Sequence, residues 1–200
     1  MEKIAIVGLS KSFGGKTVFR ELNLTLDSGG KTCIMGPSGA GKTTLLRILM
    51  GLECADGGIV TGLEKKRFSA VFQEERLCEY MTAPDNIRLV APAAQSQTIL
   101  RELACLGMED CDSLPVSALS GGMRRRVSIL RALAADYDVL FLDEPFKGLD
   151  DAVKMQVIAH VRERTAGKTV LFVTHDRAEA EALGAKLVMP FYTREPVGES

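Results

Sequence analysis

Apolar runs of strand length alternate with amphipathic stretches along this chain, and glycine or proline marks many of the boundaries between them. Ile4 to Gly8, Leu22 to Leu26 and Thr32 to Met35 read as strands, separated by turn signals at Gly14-Gly15 and Ser28-Gly29-Gly30. They predict an antiparallel edge feeding a buried strand. Leu45, Leu46, Ile48 and Leu49 then recur at helical spacing after Lys42, with Gly51 placed to cap the helix end. Short strands follow at Gly58 to Val60 and Ser69 to Phe72. A helical region runs from Thr82, whose Thr82-x-x-Asp85 spacing is a capping signal, through Gln95 to Leu106, until Pro115 breaks it. Ser120 opens a helix to about Ala135, Val139 to Leu142 is an apolar run of buried-strand type, and Asp151 to Thr165 is helical. Val170 to Val173 is a strand, Asp176-x-x-Glu179 a second capping signal and Leu187 to Met189 a last strand, while Thr193 to Ser200 reads as a frayed tail. The alternation predicts one α/β domain whose middle is helical.

Composition narrows the function classes. Two hundred residues at 46% apolar content suffice for one core of substantial size. Lys+Arg 25 against Asp+Glu 26 leaves a net charge of -1, which argues against nucleic acid as a partner. Five cysteines, an odd number without a C-x-x-C pair, predict reduced thiols that serve mostly as small core residues. Met1 to Ile6 has neither the long apolar stretch nor the cleavage site of a secretion signal, and no run approaches the roughly 20 apolar residues that span a bilayer. A soluble chain is expected, whose work at a membrane would need a partner.

The chemistry begins at Gly36-Pro37-Ser38-Gly39-Ala40-Gly41-Lys42-Thr43, a phosphate-binding loop of the form G-x-x-x-x-G-K-[ST] between an apolar strand and a helix. Its glycines let backbone N–H groups converge on phosphate, and the helix adds the positive end of its dipole. Lys42 is placed for the β- and γ-phosphates, and the Thr43 hydroxyl for Mg²⁺, a hard cation that prefers oxygen. A second element, Val139 to Leu142 followed by Asp143-Glu144, delivers two carboxylates at the end of a buried strand. Adjacent strand residues face opposite ways, so Asp143 suits the metal and Glu144 the attacking water. Leu119-Ser120-Gly121-Gly122-Met123 is the third: Ser120 can cap its helix, and two glycines let bare backbone donors approach an anion.

Together these resemble the ATP-binding subunits of ATP-binding-cassette (ABC) transporters, whose LSGGQ signature the third element matches. The resemblance covers nearly the whole chain and adds Phe13, Gln73, Leu149-Asp150 and His175 in order. It implies a P-loop NTPase core of RecA-like α/β type with an antiparallel β edge and an inserted helical subdomain. The catalytic core is expected at 1–73 and 136–192, the helical subdomain with the signature at 74–135, and the tail at 193–200. ATP contacts are implied from Phe13, stacked on adenine, from Gly36, Pro37, Ser38, Gly39, Ala40, Gly41, Lys42, Thr43 and Thr44, and from Gln73. Thr43, Gln73 and Asp143 are the implied Mg²⁺ ligands, with Glu144, His175 and Lys42 in catalysis. Ser120, Gly121, Gly122 and Met123 are implied to meet the nucleotide of a second subunit in trans, with Asp150 at the dimer interface. Met123 and Lys147-Gly148 depart from the usual glutamine and Ser-Ala.

The implied partners are a second copy, a transmembrane permease docking at Arg76 to Met81, and a solute-binding protein if the system is an importer. The implied place is the cytoplasmic, inner face of the cell membrane. Val71 to Leu77 and Asp143 to Asp150 look most like the importers of nitrate, sulfonate and taurine, and the short stretch after His175 predicts no added regulatory domain. Two alternatives stand beside this: a non-transport ABC ATPase or nucleotide-gated binding module, and a phosphate-loop kinase or GTPase, which has no use for Leu119 to Gly122. His160, mid-helix, reads as an ordinary surface residue. Arg124, Arg125 and Arg126 fan around a partly solvated helix.

Overall fold

A computed structural model describes residues 3–109 and 111–191. Among the described residues eight strands and six helices run in the order β1 (Lys3–Phe13), β2 (Lys16–Asp27), β3 (Lys31–Ile34), α1 (Lys42–Leu49), β4 (Gly57–Thr61), β5 (Phe68–Val71), α2 (Ala83–Arg88), α3 (Ser96–Ala104), α4 (Gly121–Ala134), β6 (Val139–Asp143), α5 (Asp151–Arg164), β7 (Thr169–Val173), α6 (Arg177–Leu183) and β8 (Lys186–Val188). A 3-10 turn at Val116–Ala118 precedes α4. The tail expected at 193–200 lies outside the described residues.

Two sheets result. The antiparallel one has the order β2-β1-β4, and the second, all parallel, the order β5-β6-β7-β3-β8. β1 outruns its expected end at Gly8 because irregularities in its pairing with β2, with Gly8 at φ 61, let the strand continue to Phe13. Strand alternation divides the parallel sheet between two apolar clusters. Val139, Phe141, Leu171 and Val173 face α1 and the antiparallel sheet, joining Ile6, Leu9 and Leu45. Leu140, Leu142, Val170 and Phe172 face the other helices, joining Ile87, Leu103, Val127 and Ile158. Each such side chain contributes about 1.5–3 kcal/mol by leaving water, and the second cluster is continuous from α2 and α3 through α4 to the sheet.

Helix ends follow local chemistry. The Thr82 hydroxyl accepts from the Asp85 N–H at 3.3 Å, and Gly51, at φ 70, follows the end of α1. Asp176 caps α6 by accepting from the Ala178 N–H at 2.8 Å. Glu179 does not complete a capping box; its carboxylate accepts from the buried Thr174 hydroxyl. Three expectations need correction. Cys33 and Cys111 are buried, but Cys54, Cys78 and Cys105 are exposed. His160 is largely covered, because Glu102 of α3 reaches it across the α3–α5 contact at 2.9 Å. Arg125 is not solvated but 3% exposed. Among the described residues no helix is long and apolar enough to cross a membrane.

Candidate active site

In an open parallel sheet the loops at the carboxyl ends of the strands form the ligand crevice. Here β3, β5, β6 and β7 deliver the phosphate-binding loop, Gln73, Glu144 and His175 to one cleft of about 460 Å³, and Phe13, at the end of β1, closes its side. Ser38, Gly39, Gly41, Lys42, Thr43, Thr44 and Lys147 line the same cleft. Phe13 is half exposed, with the Lys11 ammonium 4.6 Å from the ring centroid.

The loop holds its shape through Gly41 and Gly36. Gly41 sits at φ 90, and a Cβ there would lie 2.4 Å from Val18 Cγ1 and 3.0 Å from Phe19 Cδ1. A Cβ on Gly36 would meet Phe191 at 3.1 Å. The Ala40 N–H donates to the Pro37 carbonyl at 3.2 Å, so these two residues shape the loop from behind. The first α-helical bond of α1 runs from the Leu45 N–H to the Gly41 carbonyl at 2.8 Å, which leaves the preceding amides outside the helical ladder. Lys42 is buried with its Nζ donating to the carbonyls of Gly36 at 2.9 Å and Pro37 at 2.8 Å. An ammonium kept inside an amide-rich loop is a ready partner for a polyanion.

Asp143 ends β6 at 5% exposure, and its Oδ1 is buried without a hydrogen-bond partner. Burial pushes its carboxyl above the usual aspartate range and the neighbouring Glu144 adds to this; the Thr43 hydroxyl and the Arg125 cation pull the other way. The chain then turns at Glu144, whose φ of 46 is left-handed and whose N–H donates to the Val173 carbonyl at 2.9 Å. Glu144 Oε1 lies 3.7 Å from His175 Nδ1, and Oε2, which has no hydrogen-bond partner, lies 3.3 Å from Lys147 Nζ. A small cavity joins Asp143 to Thr43 and Gln73. An orphaned carboxylate oxygen beside a hydroxyl and an amide is a donor set suited to a hard divalent cation. Among the described residues no three His, Cys, Asp or Glu side chains converge, so such a cation would take the rest of its shell from phosphate and water.

The signature segment stands elsewhere. Ser120 caps α4 by accepting from the Met123 N–H at 3.2 Å, and neither Ser120, Gly121, Gly122, Met123 nor Asp150 lines the cleft. Asp150 is exposed at the start of α5. Gly121 and Gly122 are not demanded by packing within the chain: a Cβ on Gly121 would find only Arg124 at 4.0 Å, and one on Gly122 would find Leu149 at 3.6 Å and the Gly148 carbonyl at 3.7 Å.

Three residues escaped the sequence reading. Arg125 points inward from α4 and donates only to backbone carbonyls at the ends of β5 and β6; burial lowers its pKa, against the pull of Glu75, Asp143 and Glu144. Asn86, fully buried, bonds the backbone of Cys78, Met81 and Thr82 and so fixes the expected docking segment, leaving Tyr80 92% exposed. Arg131 holds the same segment through the Arg76 and Glu75 carbonyls.

Known proteins resemble this chain in sequence and in fold. Residues 19–147 match the family model described as ABC transporter. The chain is 35% identical over 207 residues to a sulfate/thiosulfate import ATP-binding protein of Halalkalibacterium halodurans, covering 93% of this chain and 58% of that one. A spermidine/putrescine import ATP-binding protein of Aggregatibacter actinomycetemcomitans is 35% identical over 203 residues, at 93% and 55% coverage. A probable sulfate/thiosulfate import ATP-binding protein of Chlorella vulgaris is 35% identical over 204 residues, at 93% and 86%. The chain thus spans little more than half the length of the first two. Among solved structures, a bacterial ABC transporter cassette determined as a dimer superposes with a TM-score of 0.77 at 29% identity, covering 90% of each chain.

Proposed function

Because the chain belongs to the ABC transporter ATP-binding family, we propose that it hydrolyses ATP as one half of a dimer and drives a membrane permease that imports a solute. One observation carries this reading. Lys42, Thr43, Gln73, Glu144 and His175 meet in one cleft, while the capped start of α4 stands apart from it, exposed, with glycines that its own chain does not require. A phosphate site complete in its binding groups, and an anion-binding helix start without an anion site beside it, complement each other between two copies.

In this reading the loop amides and Lys42 bind the phosphates, and Phe13 stacks against the base. Thr43, Gln73 and Asp143 hold Mg²⁺, which when bound neutralises phosphate charge and orients the terminal group. Glu144 accepts a proton from the attacking water, and His175 donates to the γ-phosphate oxygens. Ser120, Gly121, Gly122 and Met123 of one copy close over the phosphates bound to the other, with Asp150 at the seam. ATP then holds the two copies together, and its cleavage releases them.

Residues 74–135 act as a helical subdomain moving against a core at 1–73 and 136–192, and the exposed segment at Arg76 to Met81 receives the permease. A solute-binding protein completes an importer at the inner face of the membrane. Cargo does not follow from similarity, since relatives named for an oxyanion and for polyamines are equally identical to this chain at 35%. Phosphate release by the purified chain is the test. Turnover that needs Lys42 and Mg²⁺ and rises as the square of chain concentration where the chain is mostly monomeric supports the reading, and turnover that stays linear in that range contradicts pairing.

A further inference from the structure

Arg125 lies five residues after the signature serine, on the second turn of α4, and its guanidinium reaches two strand ends at once. Nε donates to the Pro145 carbonyl at 2.7 Å. One Nη donates to the carbonyls of Phe72 and Gln73, the latter at 3.2 Å, and the other to those of Asp143, at 3.0 Å, and Glu144. None of these five acceptors is a side chain, so every hydrogen bond of the cation goes to a peptide carbonyl, while the Glu75, Asp143 and Glu144 charges attract it without bonding it.

Removing a guanidinium from water is costly, and apolar residues of similar volume commonly fill such a place at no loss of stability. Stability alone therefore does not explain the choice of arginine. Its geometry does: a planar fork can bond several carbonyls in fixed directions, which a lysine ammonium cannot reproduce. Three of the carbonyls belong to residues whose side chains the proposed chemistry uses, Gln73 after β5 and Asp143 and Glu144 at the end of β6. This one side chain ties them to α4, whose start Ser120 caps.

We propose that Arg125 is a positioning residue for hydrolysis, fixing Gln73 and Glu144 relative to each other and to the Ser120 helix start, so that cis and trans parts of the site move as one. Its effect is on the transition state, where the placement of water against phosphate matters, and not on nucleotide binding, which the Lys42 loop supplies from another strand. This rests on the reading of the cleft as an ATPase site.

The test compares Arg125→Lys and Arg125→Gln with the unaltered chain, measuring ATP dissociation constant, KM and kcat. Ile129→Val is the control: Ile129 is on the same helix, buried in the apolar cluster, and does not line the cleft. Expected is a kcat lowered about tenfold in Arg125→Lys and about a hundredfold in Arg125→Gln, with KM and dissociation constant within roughly threefold. Ile129→Val keeps its kcat. A wild-type kcat in Arg125→Lys and Arg125→Gln overturns the proposal. So does an equal kcat loss in Ile129→Val, which would mean general loosening of α4, or loss of ATP binding in both Arg125 variants, which would assign the residue to the fold. Absence of turnover in the unaltered chain would instead defeat the ATPase reading itself.

Discussion

His175 Nδ1 and Glu144 Oε1 lie 3.7 Å apart across the ends of the neighbouring strands β7 and β6. The histidine side chain is 70% exposed and the glutamate 16%, so the ring faces solvent while the carboxylate is shielded. Two groups of different exposure thus share the edge of one cleft, which suits the proposed roles of a shielded base and a solvent-facing phosphate sensor.

Replacing Glu144 by glutamine keeps the shape and removes the proton acceptor. A fall in kcat of at least about a hundredfold is expected, with KM little changed. Light scattering of the variant with ATP and Mg²⁺ should show a stable dimer. Wild-type turnover in Glu144→Gln would remove the residue from the chemistry.

Asp143 makes the pH dependence specific. Its folded pKa is raised, chiefly by burial. The proton-bound form is therefore favoured by folding, and its contribution to stability is full at low pH and lost as pH rises through the raised value. Above that value the buried carboxylate is a destabilising charge until a cation meets it. Without nucleotide, millimolar Mg²⁺ should raise the melting temperature at pH 7.5 by roughly 2–4 °C, the effect of about 1 kcal/mol in a domain of this size. Near pH 4 the rise should shrink, and in Asp143→Asn it should vanish at both pH values. An equal rise in Asp143→Asn would place the cation elsewhere.

Gly121 separates stability from activity. Alanine fits there within the chain and restricts the unfolded state, so Gly121→Ala should leave stability unchanged or raise it by up to roughly 1 kcal/mol in urea denaturation. If the proposed trans contact holds, the new Cβ would stand in the path of a partner's phosphate, so turnover should fall about tenfold or more while ATP binding by the single chain persists. A variant with full turnover would show that nothing approaches this helix start.

What could be read from the residues alone depended on how local each cause is. Lys42 in its glycine loop, Asp143-Glu144 at a strand end and Ser120 at a helix start are each set by a few neighbouring positions, and the structure places them on the expected kinds of element. The inward turn of Arg125 was illegible because three consecutive arginines fan around a helix. Only the packing of α4 under the ends of β5 and β6 decides which one is buried. His160 is covered by Glu102, 58 positions away, a contact that no spacing rule along one helix contains. The order β5-β6-β7-β3-β8 likewise depends on pairing between distant strands. Even so, its consequence, a shared edge for the motifs, could be anticipated from where each motif ends a strand.

Mixing two defective copies tests the central claim, that each phosphate site is completed by a neighbour's helix start. Lys42→Ala lacks the binding loop's cation but keeps a sound Ser120 segment; Ser120→Phe is the reverse. Neither should hydrolyse ATP alone, and an equimolar mixture should, because a mixed dimer contains one site built from the good loop of one copy and the good helix start of the other. A mixture as inactive as its components, with mixed dimers shown to form, would contradict completion in trans.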